Sequence, residues 1–167
     1  MLEATETDLS TQQPEQLNGV QLTQFLTVKL GKEEYGLDIL QVKEIRCWVP
    51  VSEIPNTPPY EKGLINIRGD IVPVIDLRER FGLPSSVDHN RDVVVLLQAQ
   101  KLSQRRIVGV VVDAVADVVS VSHEAMQTTP AFASNVNTDF IRSLVNVDQR
   151  MINCIDIDRL LDWGNEL

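Results

Sequence analysis

The chain has 167 residues, a length that favours one domain or two small ones that share a core. Its 15 basic and 24 acidic residues give a net charge of −9, which argues against nucleic acid as the main partner. The longest apolar run, Ile107–Val112, is far shorter than the ~20 residues that a membrane-spanning helix needs.

The first twenty residues form a polar and acidic opening segment. They include Glu3, Glu6, Asp8 and Glu15, contain no Lys or Arg, and show no apolar periodicity. This composition predicts a disordered acidic tail over 1–20, followed by a folded domain over 21–165. The segment has no basic region followed by an apolar stretch, so we expect no signal peptide and a cytoplasmic protein.

Signals for β-strands dominate the rest of the chain. Gly69-Asp70 is predicted to be the two-residue turn of a hairpin, with Gly69 at a positive φ. Four prolines between residues 50 and 62 predict an ordered loop or an edge crossing, and Gly82–Arg91 reads as a linker. The predicted strands are Leu22–Leu30, Glu33–Leu40, Val42–Trp48, Leu64–Arg68, Ile71–Ile75, Asp92–Gln98, Arg106–Val112, Val115–Val121, Ile141–Val147 and Met151–Ile155.

A short helix is predicted to follow each set of five strands. Asp76 is placed to cap Leu77–Phe81, and Asp156 repeats the device before Arg159–Trp163. We therefore interpret both aspartates as helix caps and not as catalytic groups.

Two diverged copies of one unit fill the chain from about residue 22 to 164. An upstream block recurs seventy-three positions later, where Gly36, Val42, Glu44 and Ile45 fall on Gly109, Val115, Asp117 and Val118. A downstream block recurs eighty positions later, where Leu64, Asn66, Ile75 and Asp76 fall on Leu144, Asn146, Ile155 and Asp156. Short strands at this spacing predict two small barrels, over about 22–82 and 91–164, with an exchange of strands between them left open.

The copies differ at one hairpin tip, where Arg68-Gly69-Asp70 becomes Asp148-Gln149-Arg150. A shared scaffold with different tips predicts two surfaces with two roles. Leu64, Asn66 and Arg68 are expected on one side of their strand, with Arg68 able to reach a partner. Local pairing of Arg68 with Asp70 or Glu44 is the alternative.

The sequence carries no recognisable catalytic or cofactor constellation. His89 and His123 have no nucleophile or second histidine at metal-ligand spacing, and phosphate-binding and nucleophile-elbow motifs are absent. Cys47 and Cys154 are isolated, one per repeat, and are interpreted as buried free thiols, although a disulfide between them stays open. We expect no enzyme, no metal and no cofactor.

Several separated blocks resemble the CheW-type chemotaxis coupling family. They are Glu34–Ile45, Pro55–Pro58, the segment Gly63–Phe81 with its Asn-x-Arg-Gly motif, and Val110–Val118. The resemblance covers about 85% of the chain. It implies a mainly β fold of two SH3-like five-stranded barrels that share a hydrophobic core. It also implies a non-catalytic adaptor that joins transmembrane chemoreceptors to the histidine kinase CheA.

The resemblance further implies two binding surfaces. Receptor tips would contact Val42, Glu44 and Arg68, in a region shaped by Gly63 and Asn66. The regulatory domain of CheA, or other CheW-like modules in a ring, would contact Phe132, next to Gln127, a position that is often basic in relatives. Partners would thus be proteins of membrane-associated receptor arrays, without nucleic acid or membrane insertion.

Two other functions stay open at this point. One is a coupler in a chemosensory pathway other than flagellar chemotaxis. The other is a barrel that binds a small molecule or an oligonucleotide, which the acidic charge and the eight aromatic residues disfavour.

Overall fold

The computed structural model describes residues 16–17, 20–84, 92–100, 106–127 and 138–162. Short strands make up most of this part of the chain, with two one-turn α-helices. The strands are β1 Gln16–Leu17, β2 Val20–Leu30, β3 Glu33–Asp38, β4 Val42–Cys47, β5 Glu61–Ile67, β6 Asp70–Asp76, β7 Val93–Gln98, β8 Ile107–Val112, β9 Ala114–Ser122, β10 Ile141–Val147 and β11 Arg150–Ile155, and the helices are α1 Leu77–Arg80 and α2 Ile157–Leu160.

The strands form two sheets that each combine strands from both repeats. One sheet has the order β4-β7-β8-β6-β5, and we call it the Arg68 barrel after the residue that follows β5. The other has the order β1-β2-β3-β11-β10 with β9 also paired to β2, and we call it the Arg150 barrel. The hairpin β2–β3 of the first repeat thus lies in the Arg150 barrel, and the equivalent hairpin β7–β8 of the second repeat lies in the Arg68 barrel.

Each barrel closes through the same backbone device. In the Arg68 barrel, the N–H groups of Ser52 and Leu64 donate to each other's carbonyl oxygens, both at 2.9 Å. In the Arg150 barrel, Gln127 and Leu144 do the same at 2.9 and 2.8 Å. The two closures join the chain that follows β4 to β5, and the chain that follows β9 to β10. The fold is thus mainly β with two SH3-like barrels, as predicted, and the short β1 adds a sixth strand to the five expected in the Arg150 barrel.

A shared apolar core joins the barrels. Val94 and Leu96 of β7 belong to the core cluster inside the Arg68 barrel, whereas Val95 and Leu97 belong to a larger cluster that also includes residues of β2 and β3. The central strands β7 and β8 are therefore buried on both faces, which explains why their sequences are continuously apolar. A third cluster, which includes Phe25, fills the Arg150 barrel.

Several predicted bounds differ from the structure. Ile67 pairs with Asp70, so the two-residue turn is Arg68-Gly69 and not Gly69-Asp70. Both turn residues have positive φ, 51° and 92°, as a type I′ turn requires. Helix α2 begins at Ile157, directly after its cap and two residues before the predicted start.

The start of the chain differs from the prediction, and two of the predicted features lie outside the described residues. Strand β1 pairs with β2 inside the segment that was predicted to be a disordered tail, so pairing begins earlier than expected. His89 in the predicted linker, and Trp163 in the predicted second helix, lie outside the described residues.

Candidate functional site

Arg68 is displayed at the tip of the β5–β6 hairpin. Its side chain is 75% exposed, and its backbone adopts a left-handed conformation. The side-chain Oδ1 of Asn66 accepts a hydrogen bond from the N–H of Gly69 at 2.8 Å, which holds the turn in place. Asn66 therefore shapes the turn that presents Arg68.

Glu44 is the ion-pair partner of Arg68. Its Oε2 lies 3.1 Å from Arg68 Nη2, and its Oε1 lies 3.4 Å from Arg46 Nη1. Glu44 belongs to β4 and Arg68 follows β5, the two outer strands of this sheet, so the ion pair spans the seam where the barrel closes. Of the two local partners that the sequence left open, the structure selects Glu44 over Asp70. A pair this exposed is worth at most about 1 kcal/mol, so a partner can displace it at little cost.

A β-bulge in β4 separates the directions of Val42 and Glu44. Val42 pairs with Leu97, which faces the shared core, whereas Glu44 pairs with Leu96, which faces the interior of the Arg68 barrel. Residues two apart on a regular strand would face the same side. The bulge therefore lets Val42 pack on the shared core while Glu44 reaches the seam and Arg68.

Gly63 permits the close crossing of two chain segments beside the site. A Cβ added to Gly63 would lie 2.2 Å from the carbonyl oxygen of Ser52, and the φ of Gly63 is 147°. A residue with a side chain would push Ser52 away from Leu64 and open the seam. Gly63 thus supports the geometry of the seam between β5 and the chain that follows β4.

The second repeat carries an equivalent ion-pair site that sequence reasoning missed. Asp117 occupies the position of Glu44, and Arg150 contacts it through Nη1 and Nη2, both at 3.0 Å. Arg150 Nε also donates to Glu34 Oε2 at 2.9 Å, and the hydroxyl of Thr27 donates to Asp117. The hydrogen bonds from Arg150, and then that from Thr27, lower the pKa of Asp117 to about 2. The sequence signal for this second site was the exchange of the arginine and aspartate positions between Arg68-Gly-Asp and Asp148-Gln-Arg.

The two arginines therefore have different surroundings. Arg150 binds two carboxylates of its own barrel, and these hydrogen bonds raise its pKa. Arg68 has one ion pair among the described residues and a largely exposed guanidinium. Of the two, Arg68 is the arginine whose charge remains open to solvent.

Similarity to known proteins identifies the family of this chain. The family model described as "CheW-like domain" matches residues 24–165. The chain belongs to the CheW-like domain family. It is 45% identical over 139 residues to the "Chemotaxis protein CheW" of Klebsiella aerogenes, covering 83% of this chain and 81% of that protein. It is 35% identical over 137 residues to the "Probable chemotaxis protein CheW" of Rhizobium etli, covering 82% and 86%.

A solved structure supports the same assignment for the fold. The chain matches the scaffolding protein TtCheW from Thermoanaerobacter tengcongensis with a TM-score of 0.75 and 31% identity, covering 85% of this chain and 94% of that one. The predicted family is thus confirmed.

The second predicted surface of this CheW-like chain is described only in part. Gln127 lies at the closing bridge of the Arg150 barrel, opposite Leu144, and so occupies the place that Ser52 has in the Arg68 barrel. Phe132 lies outside the described residues.

The two predicted helix caps are confirmed. Asp76 Oδ1 accepts from the N–H of Arg78 at 2.9 Å, and Asp156 Oδ1 accepts from the N–H of Arg159 at 3.1 Å. Burial raises the pKa of Asp76, which is one of the few buried charged residues. Both carboxylates therefore accept hydrogen bonds from backbone N–H groups at the starts of the helices.

In the part of the chain that the structure describes, the remaining candidate groups do not converge. Within the described ranges, no three His, Cys, Asp or Glu side chains are arranged to hold a metal ion, and no helix is long and apolar enough to cross a membrane. Both cysteines are free thiols. Cys154 is buried, which raises its pKa to about 11, but Cys47 is exposed, contrary to prediction, because it lies on the solvent side of the outer strand β4.

Proposed function

We propose that this chain is a non-catalytic adaptor that couples transmembrane chemoreceptors to the histidine kinase CheA in bacterial chemotaxis. Family membership supports this role, because the relatives are named chemotaxis proteins and the solved relative is named a scaffolding protein. An adaptor acts by binding its partners at its surface. Among the described residues, the exposed Arg68 is suited to such binding.

The exposed Arg68 is the observation that carries the proposal. Its side chain is 75% exposed, and the turn that carries it is held by the Asn66–Gly69 hydrogen bond, so little backbone freedom is lost when a partner binds. Arginine is enriched among residues that dominate interface energies. We assign the receptor tip to this surface, with Val42 and Glu44 beside Arg68 and with Gly63 and Asn66 shaping it.

The kinase and ring contacts are assigned to the other barrel. Gln127 lies at its closing bridge, and Phe132 follows a few residues later in the chain. We propose that the CheA regulatory domain or another CheW-like module binds there. The protein would then act in the cytoplasm and be recruited to membrane-associated receptor arrays.

Charge reversal at Arg68 tests the receptor surface. Arg68→Glu removes the exposed cation, and loss of a buried interface charge typically costs about 2–5 kcal/mol of binding, so we expect affinity for a receptor cytoplasmic fragment to fall at least ~30-fold. The free energy of unfolding is expected to change little, because Arg68 is exposed. Isothermal titration against the fragment and chemical denaturation measure the two quantities.

Two further variants separate the interface charge from the local ion pair. The double variant Glu44→Arg/Arg68→Glu restores an ion pair across the seam with reversed polarity, and we expect receptor binding to stay lost. Asp148→Arg makes a matched charge reversal at the equivalent exposed turn of the second repeat and should bind the receptor fragment normally. Wild-type affinity of Arg68→Glu, or an equal loss in Asp148→Arg, would contradict the assignment.

A further inference from the structure

Arg80 lies where the two barrels meet, at a position that the repeats fill differently. It is the last residue of α1, and the equivalent residue of α2, eighty positions later, is the fully buried Leu160. Next to Arg80, Phe81 belongs to the shared core, as does Leu161 at the equivalent position. The first repeat therefore places a cation where the second places an aliphatic core residue.

The guanidinium of Arg80 contacts one aromatic ring from each repeat. Its Cζ lies 4.5 Å from the ring centroid of Tyr60 and 4.5 Å from the ring centroid of Phe140. Tyr60 leads into β5 of the Arg68 barrel, and Phe140 leads into β10 of the Arg150 barrel. Arg80 is thus in cation–π contact with both barrels at once.

The two rings are fixed by the same local device. The carbonyl oxygen of Tyr60 accepts from the N–H of Asp76 at 2.8 Å, and the carbonyl oxygen of Phe140 accepts from the N–H of Asp156 at 2.8 Å. Tyr60 and Phe140 are themselves equivalent, eighty positions apart. Each ring is therefore tied to the helix cap of its own repeat. Tyr60 is held by the cap of α1, the helix that carries Arg80, so a movement of the Arg150 barrel moves Phe140 relative to Arg80.

The inner part of the guanidinium faces these rings. Arg80 is half-buried, and its Nε is buried without a hydrogen-bond partner among the described residues, so the π faces supply the favourable contacts there. An aliphatic side chain such as that of Leu160 would fill the space but would not favour one orientation of the rings, because dispersion contacts are not directional. Arg80 is suited to hold the two barrels in one relative orientation.

We propose that Arg80 is a positioning residue that couples the barrels, so that a partner bound at Arg68 alters the partner surface of the Arg150 barrel. This role rests on the proposed adaptor function. Arg80 is not among the residues assigned to either partner, so its replacement should reduce transmission without reducing binding.

The test compares binding with transmission in four proteins. Arg80→Met keeps an unbranched side chain but removes the guanidinium, and Arg80→Lys keeps the charge. Arg142→Met makes the matched change at an exposed arginine of β10. Titrations measure affinity for a chemoreceptor cytoplasmic fragment and for the CheA regulatory domain separately. Autophosphorylation of CheA with and without the receptor fragment measures transmission.

We expect Arg80→Met to bind each partner within about twofold of wild type, yet to lose at least fivefold of the receptor-dependent stimulation of CheA. Arg80→Lys should recover part of that stimulation, and Arg142→Met should match wild type. Full stimulation by Arg80→Met, or loss of binding in that variant, would overturn the proposal. If Arg80→Met does not fold, Tyr60→Leu, which removes one ring, is judged by the same two criteria. Failure of the wild-type chain to bind either partner would instead refute the adaptor function.

Discussion

Two arginines at related hairpins show how one scaffold supports different surfaces. Arg150 is held by Asp117 and Glu34 and helps to tie β11 to β3 and β9 within its barrel. Arg68 lies on the turn itself, two positions earlier in its repeat than Arg150 lies in the second repeat. Among the described residues, its ion-pair partner is the carboxylate of Glu44 on the outer strand β4. A shift of two positions in a hairpin thus turns a structural cation into one that is available to a partner.

The stability contributed by the Arg150–Asp117 pair should depend on pH. Because the folded-state pKa of Asp117 is about 2, below its usual 3.8, the pair stabilises the fold above pH 4 and loses this contribution as the pH falls through 2. We expect Asp117→Asn to lower the free energy of unfolding by up to about 1 kcal/mol at pH 7, a small value because the carboxylate is partly solvated. Urea denaturation between pH 7 and pH 2 should show the difference from wild type shrinking below pH 4.

Arg150→Gln is the partner variant for this prediction. It removes the same interaction from the other side, together with the Arg150–Glu34 ion pair, so its difference from wild type should be larger at pH 7 and should also shrink below pH 4. A difference between Asp117→Asn and wild type that stays constant from pH 7 to pH 2 would show that the pair contributes no pH-dependent stability.

Local chemistry decided which single residues could be predicted. The caps Asp76 and Asp156 were predictable, because an aspartate before a short helical pattern satisfies nearby N–H groups regardless of the rest of the fold. The turn residue Arg68 was not, since a glycine at either central position is compatible with a tight turn. The choice depended on the pairing of Ile67 with Asp70 and on the side chain of Asn66.

At the scale of elements, the central feature is the exchange of hairpins between repeats. Hairpin β7–β8 joins the Arg68 barrel through an antiparallel pairing with β4 and a parallel pairing with β6. Hairpin β2–β3 joins the Arg150 barrel in the same way, through β9 and β11. The strands were predictable from their apolar patterns. The exchange was not, because both hairpins carry the same pattern and only nonlocal packing distinguishes their partners.

Hairpin exchange predicts that neither half of the chain folds alone. A fragment that ends at Pro84 contains β2–β3 without β9 and β11, and β4–β6 without β7–β8, so both sheets lack their central pairings. We expect this fragment to give a poorly dispersed NMR spectrum. Addition of a second fragment that begins at Ser85 should restore a dispersed spectrum like that of the intact chain.

One result would contradict the prediction that neither half folds alone. Sharp and dispersed resonances from the fragment ending at Pro84 alone would show that the first repeat forms a self-contained barrel. The exchange would then not be required for folding.

At the scale of the whole molecule, the two proposed surfaces lie on different barrels that share one core. The Arg68 tip belongs to one barrel, and Gln127 closes the other. The core between them includes residues of both barrels, and Arg80 contacts an aromatic ring on each side. An adaptor of this form can bind two partners at separate places while keeping their relative orientation.

The most direct test of the adaptor role is whether the chain recruits CheA to receptors. Vesicles that carry chemoreceptor cytoplasmic fragments are sedimented with CheA, in the presence or absence of this protein, and the bound kinase is measured. We predict that CheA sediments with the vesicles only when the chain is present, and that Arg68→Glu abolishes this recruitment. Equal amounts of sedimented CheA with and without the chain would contradict the account.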